Sequence, residues 1–231
     1  MSNTPKHFDA ILFDMDGVII DSKEQVEAFW FEKMELYGVE VDKKYLETQV
    51  HGRPARSIID EMFSMLPKEE REKLDMECTE YDASQESFSI VPGVETLIGQ
   101  LVEKEITFGL VTSALPPKVE KMLESLSLHS PFQTIVTANL VKNGKPDPEC
   151  YLLGAMQLNV PAENVLVFED SVSGVKAASR ARATVIGVNQ PHIAPMLKEA
   201  GACDVIDDFT DTTLTGKQIY IKNSNPFGIF S

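Results

Sequence analysis

Two aspartates, Asp14 and Asp16, stand two residues apart directly after the apolar segment 8–13, which only Asp9 interrupts. Apolar segments of this length are typical of strands buried in a parallel sheet. Side chains two residues apart in an extended chain point the same way, so both carboxylates are expected to face one pocket. Gly17 permits a sharp turn after them. The alternative is an aspartate-rich turn that does no more than cap the strand.

Further polar groups stand where later strands are expected to end. Thr112 and Ser113 follow one predicted strand, and Glu169 and Asp170 follow another. Lys145 lies in a proline-rich turn before a predicted helix. Parallel strands present their carboxyl ends at one crevice, so all these groups are expected to converge with the first two aspartates.

The four carboxylates of Asp14, Asp16, Glu169 and Asp170 have no histidine or cysteine cluster beside them. Hard oxygen ligands of this kind suit Mg²⁺, which also keeps waters and substrate oxygens. Carboxylates alone would repel a phosphate dianion. The cation and Lys145 are therefore needed to bind one.

Each of these groups, taken singly, also has an ordinary structural explanation. Lys145 suits a solvated turn, and Thr112 suits a strand end. Asp170 or Ser171 could cap a helix by accepting backbone N–H groups. Four coincidences at the same edge of one predicted sheet favour a functional site over these alternatives.

The elements that must position these groups begin with a helical segment. Residues 22–25 have the form of a capping box, which predicts a helix that ends at Gly38. Phe31 lies off the apolar stripe of this helix and is expected to face a neighbouring element. Residues 42–87 show helical patterns throughout. We therefore expect residues 22–90 to form an inserted α-helical cap domain.

From Val91 onwards, predicted strands and helices alternate. This pattern predicts an α/β fold, with a Rossmann-like doubly wound parallel sheet and right-handed crossovers. The core is expected to comprise residues 1–21 and 91–210. Residues 211–231 fit neither domain. A docked extension, a disordered tail and a remnant of cloning remain open for them.

Composition excludes several classes of partner. The net charge is −15, from 36 acidic and 21 basic residues, which disfavours nucleic acids and anionic membranes. The scattered residues Cys78, Cys150 and Cys203 indicate free thiols in a reducing compartment. With no apolar signal segment or membrane span visible, we expect a soluble cytoplasmic protein that is a monomer or weak dimer.

The motif residues resemble those of the haloacid dehalogenase superfamily of phosphohydrolases over residues 8 to about 208. The four matching motifs are Asp14-x-Asp16-Gly17-Val18, Thr112, Lys145 and Glu169-Asp170. The insert resembles the α-helical cap of the subfamily that contains β-phosphoglucomutase and phosphoglycolate phosphatase. Segments 28–30, 51–53, 136–139 and 144–148 are similar to glycerol-phosphate and 2-deoxyglucose-6-phosphate phosphatases.

This resemblance implies a phosphatase that acts on a small phosphorylated metabolite. Asp14 would be the nucleophile that forms an aspartyl-phosphate, and Asp16 the acid and base. Mg²⁺ would bind Asp14, Asp170 and the backbone carbonyl of Asp16, with Glu169 nearby.

The phosphoryl oxygens would be bound by Thr112, Ser113 and Lys145. One departure from the family is Arg182, where a glycine is usual at a helix end, and we expect only a local change in the helix cap. The residues of segment 51–53 and Arg56 raise a further hypothesis. Arg53 would reach the substrate when the cap closes, although two solvated arginines are the alternative.

The sequence leaves three activities open: a phosphatase, a phosphosugar mutase and a non-catalytic phosphate-binding module. Dehalogenase chemistry is disfavoured, because dehalogenases lack the second acid that Asp16 supplies. A β-phosphoglucomutase would carry a histidine where this chain has Val26. A non-catalytic phosphate-binding module would not need Asp16.

Short links near residues 20–21 and 89–91 predict that the cap closes as a unit.

Overall fold

The computed structural model describes residues 5–85, 87–126, 131–222 and 226–230. Its main sheet has six strands, all parallel. With strands numbered along the chain, the spatial order is β6 (Thr134–Val136), β5 (Phe108–Val111), β2 (Ala10–Phe13), β7 (Val165–Glu169), β8 (Thr184–Val188) and β9 (Asp204–Ile206). Because β5 and β7 flank β2, the three strands that carry the predicted motifs are neighbours.

Both faces of the sheet are buried. Successive residues of β2 alternate between two apolar clusters, with Phe13 in one and Leu12 in the other. Phe13 stacks on Phe168 with ring centroids 5.3 Å apart. The covering helices are α5 (Val94–Glu103), α6 (Pro116–Ser125), α7 (Glu149–Gln157), α8 (Val172–Arg180) and α9 (Ala194–Ala200). The predicted doubly wound α/β fold is confirmed.

A helical insert follows β2. Its helices are α1 (Lys23–Tyr37), α2 (Lys43–Tyr45) with a π-helical turn at Leu46–Val50, α3 (Ala55–Met62) and α4 (Lys68–Ser84). They enclose an apolar cluster of their own, which includes Phe29, Trp30, Ile59 and Phe63. We call this segment the cap.

The cap is joined to the core by two adjacent strands. Strand β3 (Ile20–Asp21) pairs antiparallel with β4 (Ser89–Ile90). Entry and exit of the insert therefore lie side by side, which is the arrangement a hinge requires. The exact domain limits and the closing motion stay predictions.

Two expectations for the first cap helix were wrong. The hydroxyl of Ser22 caps no helical N–H and instead donates to Asp16 Oδ1, because a stronger, charged acceptor lies within reach. Phe31 is 56% exposed and so faces solvent. Gly38 does end the helix, in the left-handed conformation with φ of 68°.

The first predicted strand is split in two at Asp9. The backbone N–H of Asp9 donates to the Asn164 carbonyl (2.8 Å), and its carboxylate accepts from the Asn164 amide (2.8 Å). Residues before this point form β1 (Lys6–Phe8), which belongs to a different sheet.

The C-terminal residues are a docked extension. Strands β10 (Thr212–Thr215), β11 (Gln218–Ile221) and β12 (Pro226–Phe230) form a second sheet with β1, in the order β1-β12-β11-β10. Ile219 and Phe230 are buried in the main apolar cluster beside Phe8. Apolar burial therefore holds this extension against the core.

Arg182 takes the left-handed conformation, with φ of 69°. Its N–H donates to the Ser179 carbonyl (2.9 Å) just after α8. A non-glycine residue after the helix end thus accepts a conformation that costs about 1–2 kcal/mol. In the described part of the chain, no helix combines the length and apolar character needed to cross a membrane.

Candidate active site

Asp14 lies at the carboxyl end of β2, at the centre of the sheet. Its backbone N–H donates to the Phe168 carbonyl (2.9 Å), which fixes the residue against β7. The side chain is buried, and Lys145 Nζ donates to its Oδ1 over 2.6 Å. Burial, followed by repulsion from Glu169, raises the pKa of Asp14 well above its usual value.

Lys145 joins two buried carboxylates. Its Nζ lies 2.6 Å from Asp14 Oδ1, 2.8 Å from Glu169 Oε2 and 5.1 Å from the ring centre of Tyr151. Burial alone would lower the pKa of Lys145, but Asp14 and Glu169 outweigh it and raise that pKa. The ammonium is therefore charged, as phosphate binding requires.

The loop before α7 holds Lys145 in place. Glu149, in the first turn of α7, accepts from the backbone N–H groups of Lys142 (2.8 Å) and Asn143 (2.9 Å). Asp147 Oδ1 in turn accepts the N–H of Glu149 (3.0 Å). These bonds order a loop that would otherwise be a solvated turn.

Glu169 has partners on both carboxylate oxygens. Oε2 accepts from Lys145 and from the Tyr151 hydroxyl (2.5 Å), and Oε1 accepts from the Ser171 hydroxyl (2.8 Å). Burial would raise the pKa of Glu169, yet Lys145 and these hydrogen bonds hold it below its usual value. Glu169 thus orients Lys145, and Tyr151 is a contributor that no sequence pattern indicated.

Ser171 combines the two alternatives considered for its motif. Its hydroxyl oxygen accepts the N–H of Gly174 (2.9 Å) and so caps α8. This N-terminal capping of α8 leaves the carboxylates of Glu169 and Asp170 directed into the site. Ser171 can therefore cap the helix while its two neighbours form a functional cluster.

Asp170 is buried and pairs with a lysine of the first cap helix. Lys23 Nζ lies 3.4 Å from its Oδ2. Burial raises the pKa of Asp170 to about 6, and Glu169 adds to the rise. Lys23 opposes this rise but does not cancel the effect of burial.

The buried carboxylates fit a divalent cation. One oxygen each from Asp14, Glu169 and Asp170 lies within 4.8 Å of the others. Burial and repulsion from Glu169 raise the pKa values of Asp14 and Asp170, and a cation bound beside these carboxylates would oppose both effects. Because Glu169 is committed to Lys145, Tyr151 and Ser171, the two aspartates are the better direct ligands for such a cation.

Asp16 sits in the turn after β2. The Met15 carbonyl accepts the N–H groups of Ile19 (2.9 Å) and Ile20 (3.1 Å), and Gly17 adopts a φ of 75°. This compact turn presents the Asp16 side chain to the same cavity as Asp14. The Asp16 carboxylate is not part of the group formed by Asp14, Glu169 and Asp170, and a metal contact through its backbone carbonyl stays a prediction.

Lys118 holds Asp16 and was missed by sequence reasoning. Its Nζ lies 2.9 Å from Asp16 Oδ1, and it is 5% exposed in α6. Burial would raise the pKa of Asp16, but Lys118 and the Ser22 hydroxyl outweigh it and lower that pKa. The only signal in the sequence was a lysine four residues before the apolar Met122, on the inward stripe of α6.

The strand-end hydroxyls have separate partners. Thr112 Oγ1 is buried and accepts the N–H of Ala114 (3.0 Å). Ser113 Oγ donates to the carbonyl of Gly52 in the cap (2.8 Å). Both residues line the cavity. Their phosphate-binding roles stay predictions, and the Ser113 hydroxyl is engaged with the cap instead.

A cavity of about 370 Å³ lies between cap and core. Its size is near the lower end of the range for small-molecule sites, about 300–1,000 Å³. Asp14 and Asp16 line its core side. Polar cap groups and aromatic rings line the rest, among them Asp75, Thr79, Asp82, Phe29, Trp30 and Tyr81.

Arg53 lines the cavity but is bound within the cap. Its guanidinium donates to the Gln49 carbonyl (2.9 Å), Ser57 Oγ (2.8 Å) and Glu61 Oε2 (2.6 Å). Arg56 pairs instead with Asp60 (3.0 Å). Because α3 begins at Ala55, Arg53 lies before the helix and Arg56 lies within it. A substrate contact of Arg53 stays a prediction.

The loop before α3 seats the cap on the core through Gly52. This residue has a φ of 74°, and an added Cβ would lie 2.0 Å from Ser171 Oγ and 2.7 Å from Ser171 Cβ. Gly52→Ala is therefore expected to hold the cap away from the core and to lower kcat/KM by about tenfold or more.

The matched control is Gly38→Ala. Gly38 has a similar φ of 68°, but an added Cβ would have no atom within 4 Å. Both variants carry the same backbone strain, and only Gly52→Ala meets the core. Steady-state kinetics of the two variants separate these effects, and equal losses would show that Gly52 has no special role in seating the cap.

Carboxylates at the carboxyl edge of a doubly wound sheet, enclosed by a helical insert, define a capped α/β enzyme class. The chain belongs to the haloacid dehalogenase-like hydrolase family, whose sequence model matches residues 11–188. The resemblance seen in the motifs is thereby confirmed.

Individual relatives are similar over most of their length. The phosphorylated carbohydrates phosphatase of Thermotoga maritima is 34% identical over 206 residues, covering 86% of this chain and 94% of that protein. Glycerol-1-phosphate phosphohydrolase 2 of Saccharomyces cerevisiae is 34% identical over 210 residues, covering 85% of this chain and 80% of that protein. The β-phosphoglucomutase structure from Clostridium difficile has a TM-score of 0.75 at 27% identity, covering 87% and 91%.

Proposed function

We propose that this enzyme is an Mg²⁺-dependent phosphatase that hydrolyses a small phosphorylated sugar or polyol through an aspartyl-phosphate on Asp14. The observation that carries the proposal is the buried group of Asp14, Lys145, Glu169 and Asp170 below a cavity that also contains Asp16. The relatives named as phosphatases support hydrolysis of a phosphoric monoester.

The chemistry follows from the positions of the charged groups. The Asp14 carboxylate attacks phosphorus while the bond to the leaving oxygen breaks. Lys145, 2.6 Å from Asp14, stabilises charge on the phosphoryl oxygens. Mg²⁺, when bound, neutralises the phosphate and the buried carboxylates.

Asp16 serves both half-reactions. It first gives a proton to the leaving oxygen, and then takes one from the water that attacks the aspartyl-phosphate and regenerates Asp14. Lys118 and Ser22 favour its ionised form, which suits the second step. The first step needs the protonated form, which the negative charge of a bound phosphate favours.

The cavity suits a small hydroxylated substrate. Asp75, Thr79 and Asp82 offer hydrogen-bonding groups from the cap, and Trp30 offers an apolar ring face. Sugars and polyols match this combination of hydroxyl groups and apolar carbon surface. A cytoplasmic location and a monomeric or weakly dimeric state stay part of the proposal, without a residue that decides them.

The test is phosphate release from a panel of sugar, polyol, glycolate and nucleotide phosphates. We expect turnover of a sugar or polyol phosphate with MgCl₂, and loss of turnover with EDTA. Nucleotides should be poor substrates because of the cavity size. Turnover that resists chelation, or phosphate release from no ester in the panel, would contradict the proposal.

A mutase is the second candidate, because a β-phosphoglucomutase is among the similar structures. Val26 lines the cavity where those mutases are expected to have a histidine. Incubation with β-glucose 1-phosphate is therefore expected to produce no net glucose 6-phosphate in a coupled dehydrogenase assay. Efficient conversion would favour the mutase, and binding of phosphate esters without turnover would favour a binding module.

A further inference from the structure

Lys118 connects the acid/base residue of the core to the cap. Its Nζ lies 2.9 Å from Asp16 Oδ1 and 3.2 Å from Asp82 Oδ1. Lys118 belongs to core helix α6, whereas Asp82 lies near the C-terminal end of cap helix α4. One ammonium group thus binds carboxylates on both sides of the cavity.

Burial makes this contact unusual. The Lys118 side chain is 6% exposed, and a lysine is rarely buried to this extent unless it is paired. Both aspartates are needed to compensate the charge. Lys145, the buried lysine beside Asp14, already binds the phosphate-site carboxylates. Lys118 is therefore assigned to Asp16 and to the cap rather than to the phosphate group.

A second bond closes the same interface. Ser113 Oγ donates to the Gly52 carbonyl over 2.8 Å, which fixes the cap loop before α3. The Lys118–Asp82 pair fixes α4. Two attachment points determine the orientation of the cap better than either alone, and one of them involves the group that binds Asp16.

We propose that Lys118 is a positioning residue that couples cap closure to the placement of Asp16. The pair with Asp82 forms when α4 lies against α6, and it draws the ammonium into the position from which it holds the Asp16 carboxylate. When the cap lifts, Lys118 loses Asp82 and no longer fixes Asp16, which keeps the Ser22 hydroxyl but loses the positioned ammonium. The role of Asp16 in this inference rests on the proposed phosphatase function.

The experiment is a double-mutant cycle of Lys118→Met, Asp82→Asn and the double variant. Lys121→Met is the matched control, because Lys121 lies in the same helix and pairs at the surface with Glu124 (3.3 Å). For each protein, kcat and KM are measured on the best substrate of the panel. Amide hydrogen exchange of α4 is measured without substrate.

We expect Lys118→Met to lower kcat by about 10–100-fold, since a small misplacement of an acid/base group has effects of this size. KM should change by less than about threefold, because the role is positioning and not substrate binding. Asp82→Asn should lower kcat less, and the double variant should match Lys118→Met, because the two residues act through one contact. Lys121→Met should stay within about twofold of the wild type.

Exchange provides a reading that does not depend on activity. The amide exchange rates of α4 should rise by about threefold or more in Lys118→Met and Asp82→Asn. They should stay unchanged in Lys121→Met. The coupling would be overturned if Lys118→Met left kcat unchanged or altered only KM. It would also be overturned if the loss of kcat in the double variant were the product of the two single losses. If the wild type hydrolyses no phosphate ester, the proposed function fails, and unchanged α4 exchange would separately overturn the cap contact.

Discussion

Asp14→Asn is expected to lower kcat by about 10⁴-fold or more, because the neutral amide cannot attack phosphorus. Asparagine has nearly the same shape, and the backbone bond from Asp14 N–H to the Phe168 carbonyl (2.9 Å) is retained. The substitution also removes one of the crowded buried carboxylates. The variant should therefore fold like the wild type while losing turnover.

Phosphate release and thermal unfolding measure these two effects on the same preparation. The matched control is Asp207→Asn, an exposed carboxylate that directly follows β9 at the same edge of the sheet. It should retain wild-type kinetics. Rapid acid quenching of the wild type during turnover should trap a phosphoryl group on the peptide that contains residue 14. An active Asp14→Asn enzyme would refute the nucleophile assignment.

Lys145→Met is expected to damage both stability and activity. It leaves the buried carboxylates of Asp14 and Glu169 without the ammonium that lies 2.6 Å and 2.8 Å from them. Breaking a buried ion pair from one side costs about 3–5 kcal/mol. For a chain of this size we expect Tm to fall by roughly 6–20 °C in EDTA. Loss of charge stabilisation at the phosphoryl oxygens should lower kcat by about 10²–10³-fold.

Added Mg²⁺ should restore part of the lost Tm, because the cation would neutralise the same carboxylates. Lys104→Met is the control. Its ammonium also pairs closely with a carboxylate, Glu103 at 2.7 Å, but at the surface, where solvent screening leaves such a pair with little effect on stability. A Tm change in Lys145→Met as small as in the control would show that the carboxylates are not held by Lys145.

Local patterns in the chain were sufficient for much of the architecture. The alternation of strands and helices after Val91 and the glycine that ends α1 were predicted as they are observed. Hydrophobic periodicity indicates which side of an element is buried, and glycine favours the left-handed conformation. Both signals are local, so their interpretation does not depend on distant residues. The parallel sheet then followed from the alternation of strands and helices.

Competition between distant partners was not visible in the same way. Ser22 matched a helix cap in sequence, but Asp16 is the stronger acceptor in space. Residues 8–13 matched one strand, but Asp9 bonds to Asn164, which lies 155 positions away, and the strand divides there. Short motifs record what a residue can do and do not record which partner the fold brings to it.

The class of chemistry could be predicted from the chain alone, because acids at predicted strand ends and a lysine in the turn before a helix are expected to meet at the carboxyl edge of a parallel α/β sheet. The tertiary structure decided how that chemistry is controlled. Tyr151 reaches Glu169, Gly52 rests on Ser171, and Lys118 spans Asp16 and Asp82. Each contact joins elements that are far apart in the chain and whose relative orientation depends on packing, so no local pattern could predict it.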